Sequence, residues 1–244
     1  MAVDRAAQER YWADAADRAH REWQLGPGYF AETERALLES AGLPDRPLLE
    51  IGCGGGANLH HLAARPGSLG VDFSAARLRQ AREELRRVGF VRGDAGALPV
   101  RDDAFEAVLV RDVLHHVTDR GAVLAEAARV LRPGGCLAVL EPNRWSPLIL
   151  AQTALVPEER GALASDAARL AHELGAAGFV DVTVRHAQPL PLARALTHPR
   201  LRLVGLGRLA AARAIFAAAD RLAARVVPRR AWMYLVARAH KRTR

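Results

Sequence analysis

Four glycines in five residues follow directly on a short apolar run, and their spacing predicts a ligand site. The apolar run at 48–51 predicts a buried parallel strand. Glycine is favoured where φ must be positive or where a ligand touches the main chain, so Gly52, Gly54 and Gly56 predict a flat cofactor against this turn. Cys53 is interpreted as a small residue of this cofactor loop and not as a nucleophile. The helix that follows, ANLHHLAAR, directs its N-terminus at the same place.

An acid, Glu50, lies at the end of the strand just before the glycines. A carboxylate at this point favours a ligand with positive charge and would repel a pyrophosphate. S-adenosylmethionine carries a sulfonium and an ammonium group, so it suits this position. A dinucleotide is the rival, because Gly52, Gly54 and Ala57 also satisfy the GxGxxA fingerprint. An NAD(P)-dependent oxidoreductase is therefore the first alternative.

A second acid, Asp72, ends the next apolar segment, SLGVDFS. It lies about 20 residues beyond the glycine loop, where nucleotide-binding enzymes place an acid that accepts hydrogen bonds from ribose hydroxyls. Phe73 follows and is expected against the face of the adenine. Both residues predict a nucleoside cofactor, but they fit S-adenosylmethionine and a dinucleotide equally well.

Residues 50–56 resemble the first motif of the class I S-adenosylmethionine-dependent methyltransferases, which reads acid, x, Gly, x, Gly, x, Gly. The resemblance continues through GDAGALP at 93–99 and through the later phrases VLRPGG and EPN. It implies that Asp94, with Ala95 beside it, accepts a hydrogen bond from the adenine amine. It also implies that Arg111 lines the methionine end of the cofactor.

Two adjacent histidines, His115 and His116, follow the fourth predicted strand. They resemble a pair in methyltransferase type 11, the subgroup that contains ubiquinone and menaquinone methyltransferases. Histidine titrates near neutral pH, so either residue could be the general base if the acceptor must lose a proton. The alternative is that both pack within or cap the short helix here.

The resemblance implies a doubly wound, Rossmann-like α/β sheet of seven strands with an antiparallel last strand, formed by a single domain over 1–244. We expect a helical cover at 1–44, with helices at 3–24 and 29–41, and a core at 45–188. A helical insertion at 189–230 precedes the last strand at 231–239. Tyr11 and Trp12, in the cover, could contact ligand or simply pack on the domain.

The insertion contains an apolar helical stripe flanked by arginines. It is predicted to act as a lid on the substrate pocket, or as a helix at 208–230 that touches an anionic membrane surface. The stripe consists of Leu209, Ala212, Ile215, Phe216, Ala219, Leu222 and Val226, and the flanking arginines are Arg213, Arg221 and Arg225.

Charge is distributed unevenly over the 244 residues, whose formal net charge is +8. From Arg194 onward there are twelve arginines and Lys241 against Asp220 alone, a net +12 that leaves −4 on the preceding part. An RNA-modifying methyltransferase or RNA-binding protein is thus the third interpretation. The basic end lacks interleaved aromatic residues, which disfavours nucleic acid, and the arginines also fit a general compositional bias.

These observations favour a small-molecule acceptor, natural-product or quinone-like, methylated on oxygen, nitrogen or carbon. The two cysteines have no metal-ligand spacing, so no metal is expected. The charged N-terminus and the lack of a long apolar run predict a cytoplasmic protein.

Overall fold

A seven-stranded sheet organises the part of the chain that the computed structural model describes, residues 18–201 and 203–243. Its order is β3-β2-β1-β4-β5-β7-β6, and β7 runs antiparallel to both of its neighbours. The predicted doubly wound sheet with an antiparallel last strand is confirmed. The strands are β1 (Leu48–Ile51), β2 (Leu69–Asp72), β3 (Gly89–Arg92), β4 (Phe105–Arg111), β5 (Leu131–Pro142), β6 (Phe179–Ala187) and β7 (Tyr234–Lys241).

Helices cover both faces of the sheet, and short side chains begin several of them. Ser74, Asp119 and Asp166 each accept a hydrogen bond from a main-chain N–H of the following turn, which caps α4, α5 and α7. The helices are α1 (Arg18–Leu25), α2 (Tyr29–Glu39), α3 (Ala57–His61), α4 (Ala75–Glu84), α5 (Arg120–Val130), α6 (Pro147–Leu155), α7 (Ala167–Ala176), α8 (Leu192–Leu196) and α9 (Ala210–Val226).

Alternate residues of the central strands form two separate apolar clusters, one on each face of the sheet. In β4, Val108 and Val110 belong to one cluster, whereas Ala107 and Leu109 belong to the other. This follows because successive side chains of a strand point to opposite faces. Buried on both faces, the strands read as continuous apolar runs, and this made them predictable from the sequence.

Several element boundaries differ from the predicted ones. The helix after the glycine loop was predicted over ANLHHLAAR but ends at His61. The last strand begins at Tyr234 because a 3₁₀ turn, Arg229–Ala231, precedes it. Tyr11 and Trp12, and most of the helix predicted at 3–24, lie outside the described residues. No helix in the described ranges is long and apolar enough to cross a membrane.

The predicted stripe of the insertion is not buried as one face. Ala212 and Phe216 are buried, but Ile215, Leu222 and Val226 are 66%, 61% and 66% exposed. The reason is that α9 packs along one side only, where it meets α8, the turn before it and the first turn of α2. Only the inner residues of the stripe are therefore covered, and its outer residues stay exposed.

The insertion is joined to the N-terminal helices α1 and α2. Trp23 Nε1 donates to Thr197 Oγ1 at 2.9 Å in a buried contact, and the Trp23 ring stacks on Phe30 at 3.9 Å. On the outside, Tyr29 Oη donates to Asp220 at 2.8 Å. The two segments are far apart in sequence, but they form a common roof above the carboxyl ends of the strands.

Candidate functional site

A cavity of about 1440 Å³ runs along the carboxyl ends of the parallel strands, beneath the roof. Open α/β sheets bind their ligands at this edge. The volume exceeds the roughly 300–1,000 Å³ of a pocket for one small ligand, so it suits a cofactor together with a second molecule. The predicted site residues that line it are Gly52, Cys53, Gly54, Asp72, Phe73, Asp94, Ala95, Arg111 and His116. Glu50 and His115 lie behind the lining.

The glycine loop has the conformation that its composition predicts. Gly52, Gly54 and Gly56 have φ values of 74°, 50° and 80°, which side chains with a Cβ rarely adopt. A Cβ on Gly52 would also collide with Val113. Burial raises the pKa of the Cys53 thiol, so this residue stays protonated. The loop therefore presents main chain to the cavity, with Cys53 as a neutral part of it.

Asp72 ties the glycine loop to the end of β2. One carboxylate oxygen accepts from the Gly54 main-chain N–H at 2.8 Å, and the other accepts from the Ser74 N–H at 2.8 Å. Each oxygen has a second lone pair that can accept from a hydroxyl. Phe73 follows it in the cavity wall. Asp72 thus holds the loop in position and can also bind a diol.

Asp94 and Ala95 lie in the turn after β3. The Asp94 carboxylate accepts from the Gly96 main-chain N–H at 2.9 Å, which is an ordinary turn contact. The same side chain is exposed to the cavity. The turn role and the cofactor role are therefore compatible.

A buried hydrogen-bond chain connects Glu50 with Arg111. Asn58 Nδ2 donates to Glu50 Oε1 at 2.5 Å, and Asn58 Oδ1 accepts from Arg111 Nη1 at 3.0 Å. Glu50 Oε2 is buried and has no hydrogen-bond partner. Burial raises the pKa of Glu50 to about 8, so the carboxyl holds a proton at neutral pH until a cation approaches. This unmatched acceptor fits the positive groups of S-adenosylmethionine.

Arg111 also pairs with an acid from the N-terminal roof. Arg111 Nη2 bonds Glu34 of α2, and Arg111 Nε lies 3.3 Å from Asp112 Oδ2. Burial raises the pKa of Glu34, but Arg111 and Arg194 outweigh this effect and keep the pKa below its usual value. Glu34 was missed by the sequence interpretation because its partners lie 77 or more residues away.

The two histidines have different surroundings. His115 Nδ1 lies 2.8 Å from Glu141 Oε2, and His115 Nε2 lies 3.5 Å from Glu159 Oε2. Burial lowers the pKa of His115, but the two carboxylates outweigh it and raise the pKa to about 10. His116 lines the cavity, and burial together with the neighbouring His115 lowers its pKa to about 3. At neutral pH, His115 is charged and His116 is neutral.

The phrase EPN, at the end of β5, supplies the carboxylate that fixes His115. Glu141 is fully buried, and its Oε1 accepts from the main-chain N–H groups of Val113 and Leu114 at 2.9 and 2.8 Å. His115 also pairs with Glu159, a cavity residue that sequence reasoning missed. Glu141 belongs to the EPN phrase, but its contact with His115 was not predicted, and Glu159 had no motif to mark it.

Comparison with known proteins gives a family for the core. A family profile described as "Methyltransferase domain" matches residues 49–139. The ubiquinone/menaquinone biosynthesis C-methyltransferase UbiE of Acidiphilium cryptum is 43% identical over 109 residues, covering 41% of this chain and 44% of that protein. The 27-O-demethylrifamycin SV methyltransferase of Amycolatopsis mediterranei is 36% identical over 149 residues, covering 52% and 54%. The matched region spans about a third to about half the length of such curated relatives, from 33% to 54%.

Solved structures share the fold over nearly the whole chain. A Thermotoga maritima protein described as a SAM-dependent methyltransferase and possible histamine N-methyltransferase superposes with a TM-score of 0.63 at 22% identity, covering 98% of this chain and 96% of its own. These matches favour neither the oxidoreductase nor the RNA-binding alternative. The glycine loop, the unmatched acid behind it and the antiparallel seventh strand agree with the sequence matches. Residues 49–139 therefore match a methyltransferase domain, and S-adenosylmethionine is the cofactor that this domain and the residues around the cavity fit.

Proposed function

We propose that this chain transfers a methyl group from S-adenosylmethionine to a small-molecule acceptor. The observation that carries the proposal is a single cavity with two different halves. One half is built from the glycine loop and the nucleoside acids. The other has an apolar wall that is closed by α6 and the insertion, with Leu148, Ala151, Leu155, Val156, Pro191 and Met233 in it.

In the cofactor half, the position of each predicted residue favours a contact with one part of S-adenosylmethionine. Glu50 and Asn58 would bind the ammonium group, and Asp72 the ribose hydroxyls. Phe73, Asp94 and Ala95 would bind the adenine, the main chain of Gly52, Cys53 and Gly54 would lie against the ligand, and Arg111 would line the methionine end. When bound, the cofactor supplies a methyl group already activated by the sulfonium.

In the acceptor half, the protein would chiefly hold the acceptor in line with the methyl group and exclude water. The acceptor would form the new bond to the methyl carbon with a lone pair on oxygen or nitrogen, or with a π pair of an electron-rich carbon that then loses its proton, while the bond from carbon to sulfur breaks and its electron pair goes to sulfur. The apolar wall favours a molecule with an extensive apolar surface. The rifamycin and ubiquinone/menaquinone relatives support a natural-product or quinone-like acceptor.

Of the two histidines, His116 is the better placed to contact the acceptor. It faces the cavity and is neutral, so it can accept a hydrogen bond from the acceptor, but a pKa of about 3 makes it too weak a base to take a proton at neutral pH. His115 is charged and held by Glu141, so we assign it a positioning role for Glu159. With pKa values of about 10 and 3, neither histidine should give a pH–rate limb near neutral pH.

The insertion has two parts with different roles. The segment from Pro191 to Leu201 lines the cavity, so it would be the lid, whereas α9 lines none of it. The outer side of α9, with Ile215, Leu222 and Val226, is the part that would touch an anionic membrane. Exposed arginines on the same helix, Arg221 and Arg225, would favour that contact.

The test is calorimetry with S-adenosylhomocysteine, NADH and FAD, followed by a screen for S-adenosylhomocysteine release across phenols, quinones, sugars, amines and tRNA. We expect S-adenosylhomocysteine alone to bind in the micromolar range, and turnover with a small molecule. Binding of NADH or FAD without S-adenosylhomocysteine would refute the proposal. Turnover with tRNA alone would refute the acceptor class.

A further inference from the structure

Arg194, from α8 of the insertion, projects a charged group into the cavity without a full set of partners. It lines the cavity, and its Nη1 is buried with no hydrogen-bond partner. The nearest carboxylate oxygen is Glu34 Oε1 at 3.5 Å, beyond the length of a good hydrogen bond. Its guanidinium lies 5.6 Å from the Phe30 ring and 5.5 Å from the Tyr234 ring. The aromatic rings therefore hold the group in place but supply no acceptor oxygen.

The one carboxylate beside Arg194 is already in use. Glu34 Oε2 bonds Arg111, and Glu34 Oε1 accepts from Gln188 Nε2 at 3.2 Å. The other nearby acid, Asp112, lies against Arg111 and accepts from Tyr234 Oη at 3.0 Å. The buried Arg111 and the Arg194 side chain, which is 25% exposed, thus share these acids. Because the Arg194 Nη1 atom is itself buried, leaving it without a partner is costly, and an oxyanion from a ligand would supply that partner.

The position of Arg194 in the chain separates it from the cofactor half. The Arg111 and Arg194 guanidinium groups lie 5.4 and 5.5 Å from the same Tyr234 ring, so the two arginines are neighbours where the two halves of the cavity meet. Arg111 comes from β4 and lines the methionine end, whereas Arg194 comes from the lid segment that closes the acceptor half. An oxyanion bound by Arg194 from the lid side would therefore belong to the acceptor.

We propose that Arg194 forms an oxyanion subsite in the acceptor half of the cavity, and that the acceptor is a largely apolar molecule carrying a carboxylate or a similar planar anion. The inference rests on the proposed methyl transfer and specifies its substrate class. The planar guanidinium pairs with a carboxylate through two parallel hydrogen bonds. Phe30 and Tyr234 fix the plane of the guanidinium, and Pro191 and Met233 are apolar parts of the wall.

The experiment uses the full chain saturated with S-adenosylhomocysteine and matched pairs of acids and their primary amides. The probes are 2-naphthoate, 4-hydroxybenzoate and decanoate, each with its amide, measured by calorimetry. We expect at least one acid to bind roughly tenfold or more tightly than its amide, and Arg194→Gln to abolish this preference. Arg213→Gln, an exposed arginine of the same insertion that pairs with Glu32, should retain it. Arg194→Lys should retain part of it, which separates lost charge from lost folding.

Three outcomes would contradict the acceptor subsite, each for a different reason. If S-adenosylhomocysteine binds but no acid is preferred to its amide, or Arg194→Gln keeps the preference, the subsite is refuted. If Arg194→Gln instead weakens S-adenosylhomocysteine but not its decarboxylated analogue, the arginine binds the cofactor's carboxylate and the acceptor assignment is wrong. Failure of the unmodified chain to bind S-adenosylhomocysteine would refute the proposed function itself.

Discussion

Cofactor binding should release a proton from Glu50. Its pKa of about 8 makes the carboxyl about 90% protonated at pH 7 in the free protein. A cation about 4 Å away attracts the carboxylate by about 4 kcal/mol at an effective dielectric constant of 20. At 1.36 kcal/mol per pH unit, this lowers the pKa by about 3, to about 5. We therefore expect about 0.9 protons released per cofactor at pH 7 and about 0.1 at pH 9.

The assay is calorimetry with S-adenosylhomocysteine in phosphate and in Tris, whose different ionisation enthalpies give the number of protons released. Affinity should rise nearly tenfold per pH unit between pH 6 and 8 and then level off. Glu50→Gln, which cannot ionise, should bind with little dependence on pH over this range. Equal enthalpies in both buffers at pH 7, or the same pH dependence in Glu50→Gln, would refute the reasoning.

Glu50 should also make the stability of the cofactor-free protein depend on pH. Because burial raises the pKa of Glu50 above its usual 4.5, the folded protein favours the protonated carboxyl. The contribution of this group to the stability of the fold is therefore fully present below about pH 4.5 and is lost as pH rises through 8. Glu50→Gln should therefore be more stable than the unmodified chain above pH 8, by up to about 5 kcal/mol. Urea unfolding at pH 5 and pH 9 measures the difference. A variant less stable at pH 9 would contradict the burial argument.

Three further changes test separate parts of the structure. Asp72→Ala should weaken S-adenosylhomocysteine binding by about 1.5–3 kcal/mol, measured by calorimetry, because it removes charge-assisted hydrogen bonds, and unchanged affinity would remove Asp72 from the site. His115→Ala should lower the free energy of unfolding in urea by about 3–5 kcal/mol, since it leaves a buried carboxylate unpaired, whereas a similar loss in His116→Ala would contradict their different surroundings. Ile215→Ser should leave stability and turnover in solution unchanged but should weaken the salt-sensitive sedimentation of the protein with anionic liposomes. Phe216→Ser, which changes a buried side chain, should instead destabilise the packing of the insertion. If the unmodified chain does not bind the liposomes, the membrane contact is refuted.

The order of the strands and the types of residue in the cofactor half were predictable because each signal is local. Residues 50–56, Asp72 and Asp94 each follow a strand directly, and the carboxyl ends of parallel strands meet at one edge of the sheet. Spacing along the chain therefore brings these side chains to the same cavity. A glycine loop also has few other conformations that satisfy its φ values.

The surroundings of the polar groups depended on the tertiary structure. The adjacent histidines looked equivalent in the sequence, but the His115 ring nitrogens lie 2.8 Å from Glu141 and 3.5 Å from Glu159, whereas His116 lines the cavity. The pairing of Glu34 with Arg111, and the incomplete pairing of Arg194, join segments 77 to 160 residues apart. A pKa or an unmatched charge is set by neighbours and burial, and these depend on how distant elements pack. The sequence alone determined the fold and the cofactor, whereas packing decided which groups are charged, which face the cavity and which side of α9 stays exposed.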